Sequence, residues 1–149
     1  MYLALVTDLF SRKIVGVDVS DSLSVEGALS ACKMAIKPVT TSDTLIHHSD
    51  RGVQYCCHGY TQLLHSHGIQ LSMTQKGDVY QNAIAERVNG ILKIEFLLNH
   101  TFGSIQQATA NAKQSVAIYN NERPHLSLGY QTPQDVYHKS QQQLTINQP

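Results

Sequence analysis

The sequence predicts an α/β fold, a mixed sheet flanked by helices, and three observations carry that expectation. Apolar, β-prone runs alternate with stretches of helical spacing in the order strand, strand, helix, strand, helix, strand, helix, helix. The first two runs are joined by a short polar turn, so at least one strand pair is antiparallel. The chain has 149 residues, of which 42% are hydrophobic, enough for one domain with a real core.

Tyr2-Leu-Ala-Leu-Val-Thr7 reads as the first strand and Ile14-Val-Gly-Val-Asp-Val19 as the second, with Asp8 to Lys13 as the turn. Residues 24–37 place Val25, Ala28, Leu29, Cys32 and Ala35 or Ile36 on one helical face. Ser24 stands where a cap belongs, without the Glu of a capping box, and Pro38 stops the helix. A short strand, Thr44 to His47, leads to Ser49-Asp50-Arg51-Gly52. A helix is expected over 58–67, a brief strand over Ile69 to Met73, and a loop from Thr74 to Gln81 around Lys76-Gly77-Asp78. Residues 82–98 give the clearest helical pattern, and 104–120 a second. A polar turn broken by Pro124 follows, and the Gln-rich stretch after Ser140 is expected to be disordered.

Composition narrows the function. Basic and acidic residues balance at 11 each, which argues against a dedicated nucleic-acid grip in this segment. No run is long and apolar enough to span a membrane, and no secretory leader is visible. Three cysteines, two of them the neighbours Cys56 and Cys57, point to a reduced, cytoplasmic protein.

Two carboxylates stand where chemistry would sit. Asp50 follows a buried strand, and open α/β sheets place their sites at the carboxyl ends of strands. Glu86 lies in the first turns of the 82–98 helix, on a polar stripe with Asn82 and Lys93, opposite Ile84, Val88, Ile91 and Leu98. A carboxylate at a strand end facing one on a helix offers hard oxygen ligands of the kind Mg²⁺ or Mn²⁺ prefers. Spacing alone also fits the plainer possibility that Asp50 caps a turn and Glu86 is a solvated helix residue.

The words around them decide the weight. His48-Ser-Asp-Arg-Gly-Val-Gln-Tyr55 resembles the second-aspartate motif of insertion-sequence transposases. Asn82-Ala-Ile-Ala-Glu-Arg-Val-Asn-Gly-Ile-Leu-Lys-Ile-Glu95 is similar to their glutamate helix. Tyr119-Asn-Asn-Glu-Arg-Pro-His-Leu-Ser-Leu-Gly-Tyr-Gln-Thr-Pro133 resembles their C-terminal signature, and Tyr2 to Gly16 their second and third strands. These are the two-frame (OrfA/OrfB) elements, whose catalytic core is similar to retroviral integrase. The resemblance covers roughly residues 2–138 and implies a ribonuclease H-like mixed sheet. It implies a triad of two aspartates and a glutamate that holds two Mg²⁺ ions, with Asp50 as the second aspartate and Glu86 as the glutamate. The implied reaction is attack on DNA phosphodiesters, by water and then by a free 3′-hydroxyl.

In that family the first aspartate sits in a Trp-x-x-Asp-x-Thr-Tyr stretch, ahead of the strand that Tyr2 opens here. Met1 stands where that stretch has ended, and Asp8 matches instead the aspartate of the turn between strands. The chain is therefore expected to be a core truncated before its first catalytic aspartate, spanning 1–140, with a disordered tail over 141–149. Mg²⁺ or Mn²⁺ should bind weakly, with little or no strand transfer by this chain. The opening strand normally lies centrally, so either the gap closes directly or a second copy donates a strand, making a homo-oligomer. Arg51 and Lys93 are expected at DNA phosphates, and Asn82 at DNA or as a helix cap. Arg123 is either a DNA contact or part of a turn locked by Pro124. The alternative function is a non-catalytic transposase remnant that folds and self-associates. An unrelated metal-dependent nuclease fits the C-terminal signature poorly.

Overall fold

A computed structural model describes residues 1–39, 45–74 and 82–146. Most of the loop expected over Thr74 to Gln81, from residue 75 onward, lies outside the described residues. Strands β1 (Tyr2–Thr7) and β2 (Ile14–Ser20) pair antiparallel, from Tyr2 opposite Ser20 to Thr7 opposite Ile14, with a register shift between Val6 and Thr7. Asp8 builds the turn. Its carboxylate accepts from the Ser11 backbone N–H at 2.7 Å and the Ser11 hydroxyl at 2.6 Å, while Arg12 adopts a left-handed φ of 65°. That side chain is a turn-builder, as the sequence suggested, and not a free carboxylate.

Helix α1 (Val25–Ile36) lies on the hairpin through small residues. Gly27, Ala28 and Ala31 are all buried, and Gly16 of β2 meets the Ala31 backbone so closely that a Cβ there has no room. Ser24 occupies the cap position but accepts no capping hydrogen bond. Strand β3 spans Ile46–Ser49, whereas the expected start at Thr44 lies outside the described residues. It connects through the short α2 (Val53–Cys56), which the sequence did not suggest, and α3 (His58–Ser66) to β4 (Gln70–Met73). β3 and β4 pair in parallel, Ile46 beside Gln70 through Ser49 beside Met73. A helical crossover is what a parallel pair needs.

Helix α4 (Ala83–Ile94) ends four residues before the expected limit at 98. Leu97 takes a left-handed φ of 56°, and the Leu98 N–H reaches back to the Leu92 carbonyl at 3.2 Å. The left-handed residue ends the helix, and the bond behind it spans six positions instead of the five of a Schellman motif. The sequence gives no glycine to mark it, so helical periodicity overran. Helix α5 (Ile105–Asn121) begins on Ser104, whose hydroxyl accepts from the Gln107 N–H at 3.1 Å. A 3₁₀ turn (Leu126–Leu128) leads to α6 (Pro133–Ile146).

Helix α6 corrects the expected disordered tail over 141–146, which is helical, while 147–149 lie outside the described residues. Its start carries a Thr132–Asp135 box whose return bond runs side chain to side chain. The Thr132 hydroxyl accepts from the Asp135 N–H at 3.2 Å and donates to the Asp135 carboxylate at 2.8 Å, with Pro133 at the first helical position. Lys13 Nζ lies 4.0 Å from the centroid of the Tyr137 ring, tying α6 to the hairpin. Glutamines are good helix formers once an end is nucleated and docked.

Two apolar clusters hold these parts. In one, Ile14 and Val17 of the hairpin pack with Val88, Ile91 and Leu92 of α4 and Val116 and Tyr119 of α5. In the other, Ala28, Cys32 and Ile36 of α1 meet Tyr60 and Leu64 of α3 and Ile69 ahead of β4. Among the described residues the strands form two separate pairs, β1–β2 and β3–β4, with no hydrogen-bonded contact between the pairs. The α/β class is as expected, with one antiparallel and one parallel pair in place of one continuous mixed sheet; direct closure between β1 and β3 does not occur among the described residues. Among the described residues β1 and β3 each keep one edge without a strand partner.

Candidate functional site

Asp50 follows β3 directly and is exposed. Its carboxylate accepts the Gly52 N–H at 2.8 Å, an Asx turn that starts α2 and aims the side chain beyond the strand end. The flanking histidines are engaged. His47 Nε2 lies 3.1 Å from the Tyr60 hydroxyl, and burial pushes its pKa down, helped by the neighbouring His48. His48 Nδ1 lies 2.9 Å from the Ser72 hydroxyl on the adjacent strand. Arg51 donates through Nε to the Thr74 carbonyl at 2.9 Å, bracing the end of β4. Ser49 is 6% exposed, and its buried hydroxyl has no partner among the described residues.

Glu86 lies in the first turn of α4 and is exposed, as are Arg87 and Lys93 on the same helix. Asn82 precedes the helix, half-buried, and its side chain makes no capping hydrogen bond. The simple cap weighed for Asn82 is thus not formed. No hydrogen bond or ion pair among the described residues joins Asp50 with Glu86, Arg51 or Lys93, and no group of three or more His, Cys, Asp or Glu gathers as a metal site there. Both carboxylates are hard oxygen donors without a basic partner among the described residues. That suits Mg²⁺, which is commonly held by one or two protein carboxylates with water and substrate phosphate completing its shell.

Arg123 is committed elsewhere. Its guanidinium forks onto Glu95, Nε to Oε2 and Nη2 to Oε1 both at 2.7 Å, and this pair holds the Glu95 carboxyl below the usual carboxylate range. Arg123 Nη1 also approaches His125 Nε2 at 3.3 Å. The His125 ring stands edge-on to Tyr119, with centroids 5.0 Å apart. The Tyr119 hydroxyl donates to the Arg12 carbonyl at 3.0 Å. Asn120 caps β2 with both ends of its amide, accepting from the Ile14 N–H and donating to the Ile14 carbonyl at 2.9 Å each. These roles for Tyr119, Asn120 and Glu95 were not foreseen. The cluster of polar residues around Arg123 was visible in the sequence; the partners, more than a hundred positions away for Tyr119 and Asn120, were not.

A cavity of about 160 Å³ opens between β2, α1 and α5, lined by Val17, Asp18, Val19, Ser30, Met34, Thr109, Ala112 and Lys113. It includes none of the expected site residues. No described helix is long and apolar enough to cross a membrane.

Comparison with known proteins agrees with this architecture. Two models described as integrase core domain match residues 1–79 and 67–133. The chain is 35% identical over 133 residues to the transposase of insertion sequence IS629 from Shigella sonnei, covering 89% of this chain and 45% of that protein. It is 33% identical over 141 residues to transposase InsF of IS3A from Escherichia coli K12, covering 94% of this chain and 49% of that protein. The chain thus spans about half the length of the curated relatives it matches. Among solved structures, the catalytic core domain of BIV integrase superposes with a TM-score of 0.69 at 16% identity, covering 96% of this chain and 89% of that one. The HTLV-2 integrase catalytic core in complex with magnesium superposes with a TM-score of 0.63 at 19% identity, covering 89% of this chain and 80% of that one. At such identity these superpositions establish the ribonuclease H-like fold.

Proposed function

The chain belongs to the integrase core family, and from that membership we propose that it is the DNA-processing core of an insertion-sequence transposase. The activity proposed is divalent-metal-dependent cleavage and strand transfer of DNA phosphodiesters, in the cytoplasm. One observation supports this above the rest: Asp50 stands at the carboxyl end of β3 and Glu86 in the first turn of α4, both exposed and neither paired with a cation among the described residues. A bound Mg²⁺ or Mn²⁺ would supply charge for the attacking and leaving oxygens at phosphorus. Asp50 and Glu86 would hold it through their oxygens. Arg51, already braced on Thr74, would present its remaining N–H groups to a DNA phosphate, and Lys93 a point charge to another. Asn82 would touch DNA at the start of α4. Arg123 supports the site by structure, since its fork is filled by Glu95.

These residues supply two carboxylates of the family's three. The proposal is that this chain alone binds a divalent ion only weakly, on the order of millimolar, and joins no DNA. The test is Mn²⁺ titration of the chain beside Asp50→Asn and Glu86→Gln, together with joining of labelled element-end DNA. Weak binding that each substitution weakens further supports the assignment. Micromolar binding, or binding indifferent to both substitutions, refutes it.

A second reading, a self-associating remnant without activity, is favoured by the open edges of β1 and β3. Size-exclusion chromatography that finds only monomers would reject self-association. Strand transfer restored by adding the family's opening strand upstream would reject the remnant.

A further inference from the structure

Helix α4 is fastened unequally at its two ends. Its first turn carries Glu86, and Asn82 ahead of it supplies no cap. Along its length Val88, Ile91 and Leu92 sit in the core. Apolar burial is non-directional, so it fixes how deep the helix lies far better than where it sits along its own axis. Just past the last turn, Glu95 receives two parallel hydrogen bonds from Arg123, 28 positions further along the chain. A forked pair of this kind has one geometry, and among the described residues it is the directional side-chain bond that ties the end of α4 to another element.

The other side of the fork is itself anchored. Arg123 follows α5, whose end is bound to the hairpin by Tyr119 on the Arg12 carbonyl and by Asn120 on both backbone groups of Ile14. His125, against Tyr119, closes behind the guanidinium at 3.3 Å. The hairpin, the end of α5 and the end of α4 are thus connected in one polar chain. A shift of α4 along its axis breaks the fork before it disturbs the core.

We infer that Glu95 and Arg123 are positioning residues, whose fork sets the axial placement of α4 and through it the placement of the Glu86 carboxylate. The inference rests on Glu86 being the metal-binding carboxylate proposed above.

Two measurements at pH 7.5 on the full chain separate the two claims: backbone hydrogen exchange by mass spectrometry, and Mn²⁺ titration followed by electron paramagnetic resonance. The variants are Arg123→Gln, Arg123→Lys, the exchanged pair Glu95→Arg with Arg123→Glu, and Glu86→Gln. Arg123→Gln should speed exchange in α4 by about three- to fivefold, as expected for losing a partly exposed fork worth ~0.7–1 kcal/mol, and leave α1 and the hairpin unchanged. It should weaken Mn²⁺ binding by a similar factor. Arg123→Lys should recover part of both effects, and the exchanged pair most of them. Exchange that is unchanged, or faster throughout the chain, overturns the clasp. Faster exchange in α4 alone, with Mn²⁺ binding that responds to Glu86→Gln but not to Arg123→Gln, overturns the positioning role and leaves Glu86 as a ligand. Mn²⁺ binding indifferent to Glu86→Gln overturns the metal assignment, and the positioning role with it.

Discussion

Replacing Asn120 by alanine should be among the most damaging single changes in this chain, although Asn120 touches no candidate ligand. The side chain is 7% exposed, and its amide makes two buried hydrogen bonds of 2.9 Å to the backbone of Ile14. Ile14 is itself 3% exposed, so water cannot replace the lost partner. The amide acts as the strand that β2 lacks on that side: it satisfies one donor and one acceptor of an otherwise bare edge. Truncation strands both. Each buried, unsatisfied backbone group costs about 1–3 kcal/mol, and two on one residue relax together, so a loss of about 2–4 kcal/mol is expected. For a domain of this size that lowers Tm by about 5–15 °C. Asn120→Asp should be as harmful, because it removes the donor and sets a carboxylate against the Ile14 carbonyl. Tyr119→Phe, which removes a single bond to the Arg12 carbonyl, should cost only about 0.5–1.5 kcal/mol. Urea unfolding with a common slope measures all three. If Asn120→Ala costs less than Tyr119→Phe, the edge-capping argument is wrong.

Three further outcomes follow from local geometry. Gly16→Ala should destabilise by about 1–3 kcal/mol, because the new methyl meets the backbone of Ala31, with its carbonyl carbon at 2.9 Å; urea unfolding would show it, and an unchanged midpoint would mean that α1 can retreat freely. Thr132→Ala should cost about 1 kcal/mol and raise amide exchange in the first turn of α6, where the Thr132–Asp135 box is lost; exchange that stays the same would show that docking alone holds α6. Burial lowers the pKa of both His47 and His125 in the folded chain, so the unfolded chain takes up protons that the folded one refuses. Their contribution is whole above the ordinary histidine pKa and fades as pH falls through the lowered values. The urea midpoint should therefore drop between pH 7.5 and pH 5.5, a window above the range where Glu95, also lowered, loses its share. A midpoint that rises on acidification would contradict this.

Much of the architecture was legible because it is written in local pattern. The hairpin, α1, α3 and α5 follow from apolar periodicity and from turn chemistry at Asp8 and Ser104, which act within a few residues. The limits of α4 and α6 were misjudged for opposite reasons. Leu97 enters a left-handed conformation that leucine does not advertise, and the Thr-Pro-Gln-Asp start of α6 is a local helix signal absent from the reading of the Gln-rich stretch beyond it.

The sequence by itself determined the candidate carboxylates: Asp50 at the end of a strand and Glu86 at the start of a helix are singled out by motif words whose meaning is local. Only the tertiary structure decided what Tyr119, Asn120 and Arg123 do, and that β1 and β3 keep open edges. A side chain able to contact DNA can equally well bond a distant backbone group or carboxylate. Nothing in its neighbours along the chain chooses between them, because the choice rests on which surfaces the core brings together.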